Sequence, residues 1–167
     1  MDVTTRHAVC RPTLHGGVCL LYRDRLHAPL IRTAEYKTFQ HIAVYLYGSS
    51  LRTLFIVVYR PGSAPASSTF IDESADLLDH TNDYASVVIM GDVITQPTLP
   101  RWALSSHNLT LQVVQSPTHT TGHLLDVVIV RAGTSVLRVN VPPPPDGLSD
   151  HSMIDVVYTY STHVNAV

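Results

Sequence analysis

Short apolar runs of Val, Ile, Leu and Tyr, cut by turn residues, dominate the chain. Such runs favour strands. Residues 17–22 form the first. Residues 41–47 alternate, with Ile42, Val44 and Leu46 on one face. Gly48, Ser49 and Ser50 then supply a turn, and residues 51–59 follow as the partner strand of a hairpin. Residues 61–68 are a loop rich in Pro, Gly and Ser. From about Thr69 to His80 the period changes to that of a helix. Phe70, Ser74, Leu77 and Leu78 share one face, and Asp72, Glu73, Asp76 and Asp79 lie mostly elsewhere. The acidic cluster reads as a solvated face, with acids in the first turn suiting the helix dipole.

Residues 86–90 are continuously apolar and end at Gly91-Asp92, the pattern of a buried strand that stops at a carboxylate. A short helix is predicted over 99–106, with Pro100 in its first turn. Residues 109–115, 124–130 and 135–141 read as strands, Pro142 to Pro145 as an extended connector, and 153–160 as a last strand. No internal repeat or linker interrupts this order. One domain over 1–167 is expected, an α/β (α+β) layered sandwich of mixed or antiparallel sheets.

Composition narrows the function classes. Hydrophobic residues make up 45% of the 167 residues and charged ones 14%, which excludes a disordered chain. Mean hydropathy is +0.13, yet no apolar run reaches the ~18 residues that span a bilayer. Residues 1–10 are polar and show no secretory signal. Net charge is −2, with Lys37 the only lysine, so the electrostatic footprint for gripping phosphates is thin. Two cysteines, Cys10 and Cys19, make no disulfide framework and are expected to be reduced in an intracellular protein.

Polar residues at strand ends suggest where chemistry lies. Tyr59 and Asp92 end strands, Asp126 lies in the run 124–130, and Asp150-His151 precede the last strand. One rim of a sheet is expected to collect them. Carboxylates with one histidine suit metal-assisted hydrolysis, and hard oxygen ligands favour Mg²⁺. Adjacent residues on an extended segment point to opposite sides, so Asp150 and His151 are poor partners for each other. Asp126 is the carboxylate available to fix the His151 tautomer, which leaves Asp150 to face a metal. His119 and His123 have H-x-x-x-H spacing, but no third ligand is near them in sequence, so zinc is not expected.

In order, the segments Gly16-Gly17-Val18-Cys19-Leu20-Leu21-Tyr22-Arg23, Val58-Tyr59-Arg60-Pro61 and Val88-Ile89-Met90-Gly91-Asp92 are followed by Pro117-Thr118-His119, Gly122-His123-Leu124-Leu125-Asp126 and Leu148-Ser149-Asp150-His151. Together they resemble the endonuclease/exonuclease/phosphatase family, in particular the endonuclease domain of LINE-type (non-LTR) retrotransposon proteins. The resemblance implies a four-layer sandwich, two sheets between helices, that hydrolyses a DNA phosphodiester bond with Mg²⁺. It implies His151 as the dyad histidine and Asp126 as its partner. Asp150 would bind metal, Asp92 would orient or deprotonate the attacking water, and Tyr59 would lie near the scissile phosphate. Thr118 and His119 would contact substrate.

Two departures accompany the resemblance. Ile94 stands at the asparagine position of the Gly-Asp-x-Asn motif. The family's portion before the Gly-Gly-Val strand supplies further strands, an asparagine and a metal-binding glutamate. Here fifteen residues precede Gly16, none is Glu, and the only glutamates are Glu35 and Glu73. These features read as a truncated, diverged copy, with an atypical segment 1–15 and an uncovered sheet edge. The activity implied is a weakened or lost endonuclease. The alternatives are an inactive remnant that keeps the fold and a phosphatase of the same superfamily. DNA is the partner implied, with no membrane, and a nuclear location rests on the resemblance alone.

Overall fold

The structure, a computed structural model, describes residues 6–13, 16–48, 52–62, 66–93, 101–112, 116–144 and 147–159. Ile94 and the first residues of the predicted short helix lie outside them, as do Ser49, Ser50 and Pro145.

Five strands form the central sheet: β3 (Gln40–Tyr47), β4 (Arg52–Tyr59), β5 (Val87–Asp92), β7 (Asp126–Arg131) and β6 (Leu109–Gln112), in that spatial order. The predicted hairpin is β3 with β4, antiparallel, with Gln40 opposite Tyr59. β4 and β5 run parallel, joined by helix α1 (Ser68–Asp79). Short helix α2 (Arg101–Ser106) precedes β6.

Side-chain parity assigns the two faces. Leu54, Ile56 and Val58 of β4, Val87 and Ile89 of β5, and Ile129 of β7 form one core with Phe70, Leu77 and Leu78 of α1. Those three helix positions, with Ser74, are the buried ones the 3.6-residue period predicts. The opposite face carries Ile42, Val44, Phe55 and Val57, covered by the hairpin of β1 (Arg6–Thr13) and β2 (Gly16–Arg23) through Val18 and Leu20. Further along that face, Val88, Val128 and Val130 pack under β8 (Ser135–Asn140) and β9 (Asp155–Thr159) through Val136 and Val156. The layers are therefore helix, five-stranded sheet, and a second strand layer made of two pairs. Among the described residues no helix covers that second layer.

Several expectations need correction. Both faces of β3 are covered, so His41 and Ala43 are buried along with Ile42 and Val44. The first turn of α1 holds no acid, because Ser67 is the N-cap and its hydroxyl accepts the Phe70 N–H at 3.1 Å. The acidic face is more than solvated. Glu73 accepts the N–H groups of Lys37 and Thr38, both at 3.0 Å, and Asp76 accepts the Tyr36 hydroxyl at 2.7 Å. Segment 1–15 contributes a strand, β1, that no apolar alternation announces. Cys10 and Cys19 face each other across that hairpin and form a disulfide. The outer edge of β3 is met by the chain before it, as His27 and Tyr47 exchange backbone hydrogen bonds and Ile31 N–H donates to the Ala43 carbonyl. That edge is thus occupied by neighbouring backbone.

Candidate active site

The site rim is set by strand register. Since β4 and β5 are parallel, Tyr59 and Asp92 are both last residues of their strands and stand side by side. Since β7 is antiparallel to β5, its first residue, Asp126, stands opposite Asp92. All three share parity with the face under the second strand layer. The rim expected from strand ends is thus present, but a parallel pair builds half of it.

Gly91 is required here for space. Its φ is +138°, and a Cβ would lie 1.9 Å from the Val58 carbonyl oxygen. Only glycine lets β5 approach β4 so closely just before Asp92.

Two loops bring in the remaining groups. Thr118 is fully buried, and its hydroxyl accepts the N–H groups of Leu125 at 3.0 Å and Asp126 at 3.1 Å. Its carbonyl accepts the Ser152 N–H at 2.7 Å, and Thr120 N–H donates to the Asp150 carbonyl at 2.9 Å. This knot ties the loop before β7 to residues 150–152, and His119 bridges His151.

His151 Nδ1 donates to Asp126 Oδ2 at 3.0 Å, and its Nε2 stands 4.0 Å from Asp92 Oδ2. Burial is the largest single influence on this imidazole and works against its charge. The Asp126 hydrogen bond and the charges of Asp126, Asp92 and Asp150 together outweigh it, so the pKa is raised above 6.5. Asp150 Oδ2 accepts from His119 Nε2 at 3.2 Å, and its carboxylate lies within 4.8 Å of a His151 ring nitrogen, so the adjacent pair does not diverge as extended-segment parity predicts. The Asp150 pKa lies below the ordinary value, chiefly through its own backbone N–H, with His119 and His151 adding to the effect. The His119 and His151 rings meet edge to face, 4.9 Å between centroids.

The structure thus gathers Asp92, Asp126, Asp150, His151 and His119 in one chain of contacts, with Tyr59 beside Asp92 on the same rim. Thr118 is placed behind them. The His119–Asp150 contact had no sequence signal, because 31 residues separate the pair.

No known family model and no curated protein matches the chain. Solved structures do. D. rerio TDP2 complexed with a single-strand DNA product aligns with a TM-score of 0.68 at 9% identity, over 93% of this chain and 77% of that one. The endonuclease domain of TRAS1, a telomere-specific non-LTR retrotransposon, aligns at 0.64 and 10% identity, over 89% and 76%. The 3′ phosphatase NExo from Neisseria, bound to a product DNA hairpin, aligns at 0.63 and 18% identity, over 93% and 80%. The chain has the endonuclease/exonuclease/phosphatase fold.

Magnesium, the metal the resemblance implies, takes hard oxygen donors in near-octahedral geometry. Among the described residues the compact donor group is His119, Asp150 and His151, two imidazoles and one carboxylate. Glu73 is committed to residues 37 and 38 on the helix side of the sheet, and Glu35 is exposed in the connector before β3. The two imidazoles of this trio suit Mg²⁺ poorly, and Asp150 is its one carboxylate. Among the described residues no helix is long and apolar enough to cross a membrane.

Proposed function

We propose that this chain is a phosphodiester hydrolase acting on DNA, of the retrotransposon-endonuclease kind, with His151 and Asp126 as its acid–base pair. The observation that carries the reading is the 3.0 Å bond from His151 Nδ1 to Asp126 Oδ2, with Nε2 turned toward Asp92. Asp126 holds the ring proton on Nδ1, so the neutral imidazole presents a lone pair at Nε2. One water, hydrogen-bonded to Nε2 and Asp92 Oδ2, spans their 4.0 Å gap. Its oxygen attacks phosphorus while its proton passes to Nε2, and the departing ester oxygen, on the far side of the phosphorus in an in-line displacement, takes its proton from solvent. A base held near the working pH contributes roughly 10²–10⁴-fold to such a step. Tyr59, beside Asp92, is assigned to the scissile phosphate. Thr118 positions Asp126 and His151 from behind, in place of the substrate contact expected for it. Magnesium dependence belongs to this reading as the family's habit, and the donor set here predicts weak use of it. The nuclear location that the resemblance implies belongs to this reading as well.

A second reading, a fold that has outlived its chemistry, is favoured by one observation: His119 holds the Asp150 carboxylate that the resemblance assigns to metal.

Nicking of supercoiled plasmid in Mg²⁺, comparing the chain with His151→Ala, tests both. Nicking that disappears in the variant supports the hydrolase. No nicking by either protein, or equal nicking by both, supports the second reading.

A further inference from the structure

His119, Asp150 and His151 come from two loops that meet only in the folded chain. Their ligand atoms all lie within 4.8 Å of one another. His119 and His123 look like a metal pair in sequence, but the fold replaces His123 by Asp150 and His151. We propose that these three side chains form a site for a borderline first-row divalent cation of the zinc class, with a fourth position open to water.

Donor chemistry points to that class. Imidazole nitrogens suit zinc and its neighbours, and a mixed nitrogen–oxygen set discriminates against Mg²⁺. One side of the triangle is already closed. His119 Nε2 and Asp150 Oδ2 are 3.2 Å apart, against about 3.3 Å for the edge of a tetrahedron with zinc-length bonds. The Asp150 side chain is 67% exposed, so the third side of the triangle faces solvent.

The outer contacts also fit. Asp126 accepts from His151 Nδ1, which leaves Nε2 for the ion, a carboxylate–histidine–metal arrangement. Thr121 N–H donates to His119 Nδ1 at 3.1 Å, so without the ion Nε2 carries the ring proton and gives it to Asp150. Cation binding at Nε2 moves that proton to Nδ1, where Thr121 Oγ1, 2.7 Å away, accepts it.

One consequence rests on the hydrolase reading: an ion on His151 Nε2 occupies the nitrogen that takes the water proton, so zinc-class cations oppose hydrolysis. The site itself does not depend on that reading.

Cobalt(II) is the probe, because its tetrahedral complexes absorb visible light. The full chain is titrated with Co²⁺ in the presence of excess Mg²⁺ and then with Zn²⁺. A 1:1 complex with tetrahedral absorption, lost on adding Zn²⁺, is expected. His119→Gln and Asp150→Asn should each weaken it about tenfold or more, with folding checked by circular dichroism, while His123→Ala should leave it unchanged. Absence of the absorption overturns the site. So does its persistence in both folded ligand variants, or its loss in His123→Ala. The readout is independent of plasmid nicking, so a chain that binds Co²⁺ but does not nick keeps this site and loses only the hydrolase.

Discussion

The Thr118 hydroxyl, with no exposed surface, accepts the backbone N–H of Asp126 at 3.1 Å. The residue that orients His151 is thus itself held by a buried side chain one loop away. Thr118→Val keeps the shape and removes the acceptor, which leaves the Leu125 and Asp126 N–H groups without it. A loss of about 2 kcal/mol is expected in denaturant unfolding, and Thr118→Ser should restore most of it. A Val variant as stable as the parent would show that other groups or water satisfy those N–H donors.

Asp126→Asn tests the dyad without removing volume. An amide still reaches His151 but carries no charge to favour the imidazolium. The His151 pKa, raised in the parent, should fall, as followed by NMR of the ring protons against pH. Any His151-dependent nicking should fall by roughly 10²–10⁴-fold. An unmoved titration would remove Asp126 as the source of the shift.

Glu73 links acidity to stability. Burial pushes its carboxyl up, but the Thr38 hydroxyl and the N–H groups of Lys37 and Thr38 outweigh it and hold the pKa below 4.5. A depressed folded-state pKa contributes stability that is present above 4.5 and fades as pH falls through the folded value. Melting temperature measured between pH 6 and about pH 3 should therefore fall less steeply in Glu73→Gln than in the parent. Parallel curves would mean that this clamp adds nothing.

Gly91→Ala should be among the costliest single changes. The added Cβ meets the Val58 carbonyl oxygen at 1.9 Å, and backbone must move. A loss of about 3 kcal/mol or more is expected by chemical denaturation, together with displacement of Asp92. A near-neutral result would mean that β4 and β5 separate easily at this end.

The Cys10–Cys19 bridge closes a loop of sequence separation 9, so its removal by Cys10→Ser should cost about 2 kcal/mol. The loss should be concentrated in the hairpin, read as faster amide exchange in β1 and β2. Equal exchange with and without the bridge would show that packing on β3 and β4 alone holds the hairpin.

How far the sequence carries is uneven, for physical reasons. The α1 face of Phe70, Ser74, Leu77 and Leu78 was legible, because helix period and burial depend on neighbours a few residues apart. Asp126 does pair with His151, although the parity argument behind that expectation does not hold, since the ligand atoms of Asp150 and His151 lie within 4.8 Å of each other. β1 was not, since much of its sequence is polar or exposed and its strand character comes from pairing with β2. The parallel setting of β4 and β5 was hidden because direction is decided by how α1 crosses the sheet. The grouping of His119, Asp150 and His151 was hidden as well, since His119 meets the other two only through a bridge spanning more than thirty residues.

The strand order β5-β7-β6 has a consequence for synthesis. β6 leaves the ribosome before β7, the strand it pairs with, so it waits with a bare backbone until Arg131 has emerged. The guanidinium of Arg131 then binds the carbonyls of Thr81, Tyr84 and His107, joining the end of α1 to the loop before β6. The last residue of β7 therefore acts as a latch. A chain that ends short of Arg131 lacks part of the strand with which β6 pairs, so closure of this side of the sheet comes late in synthesis.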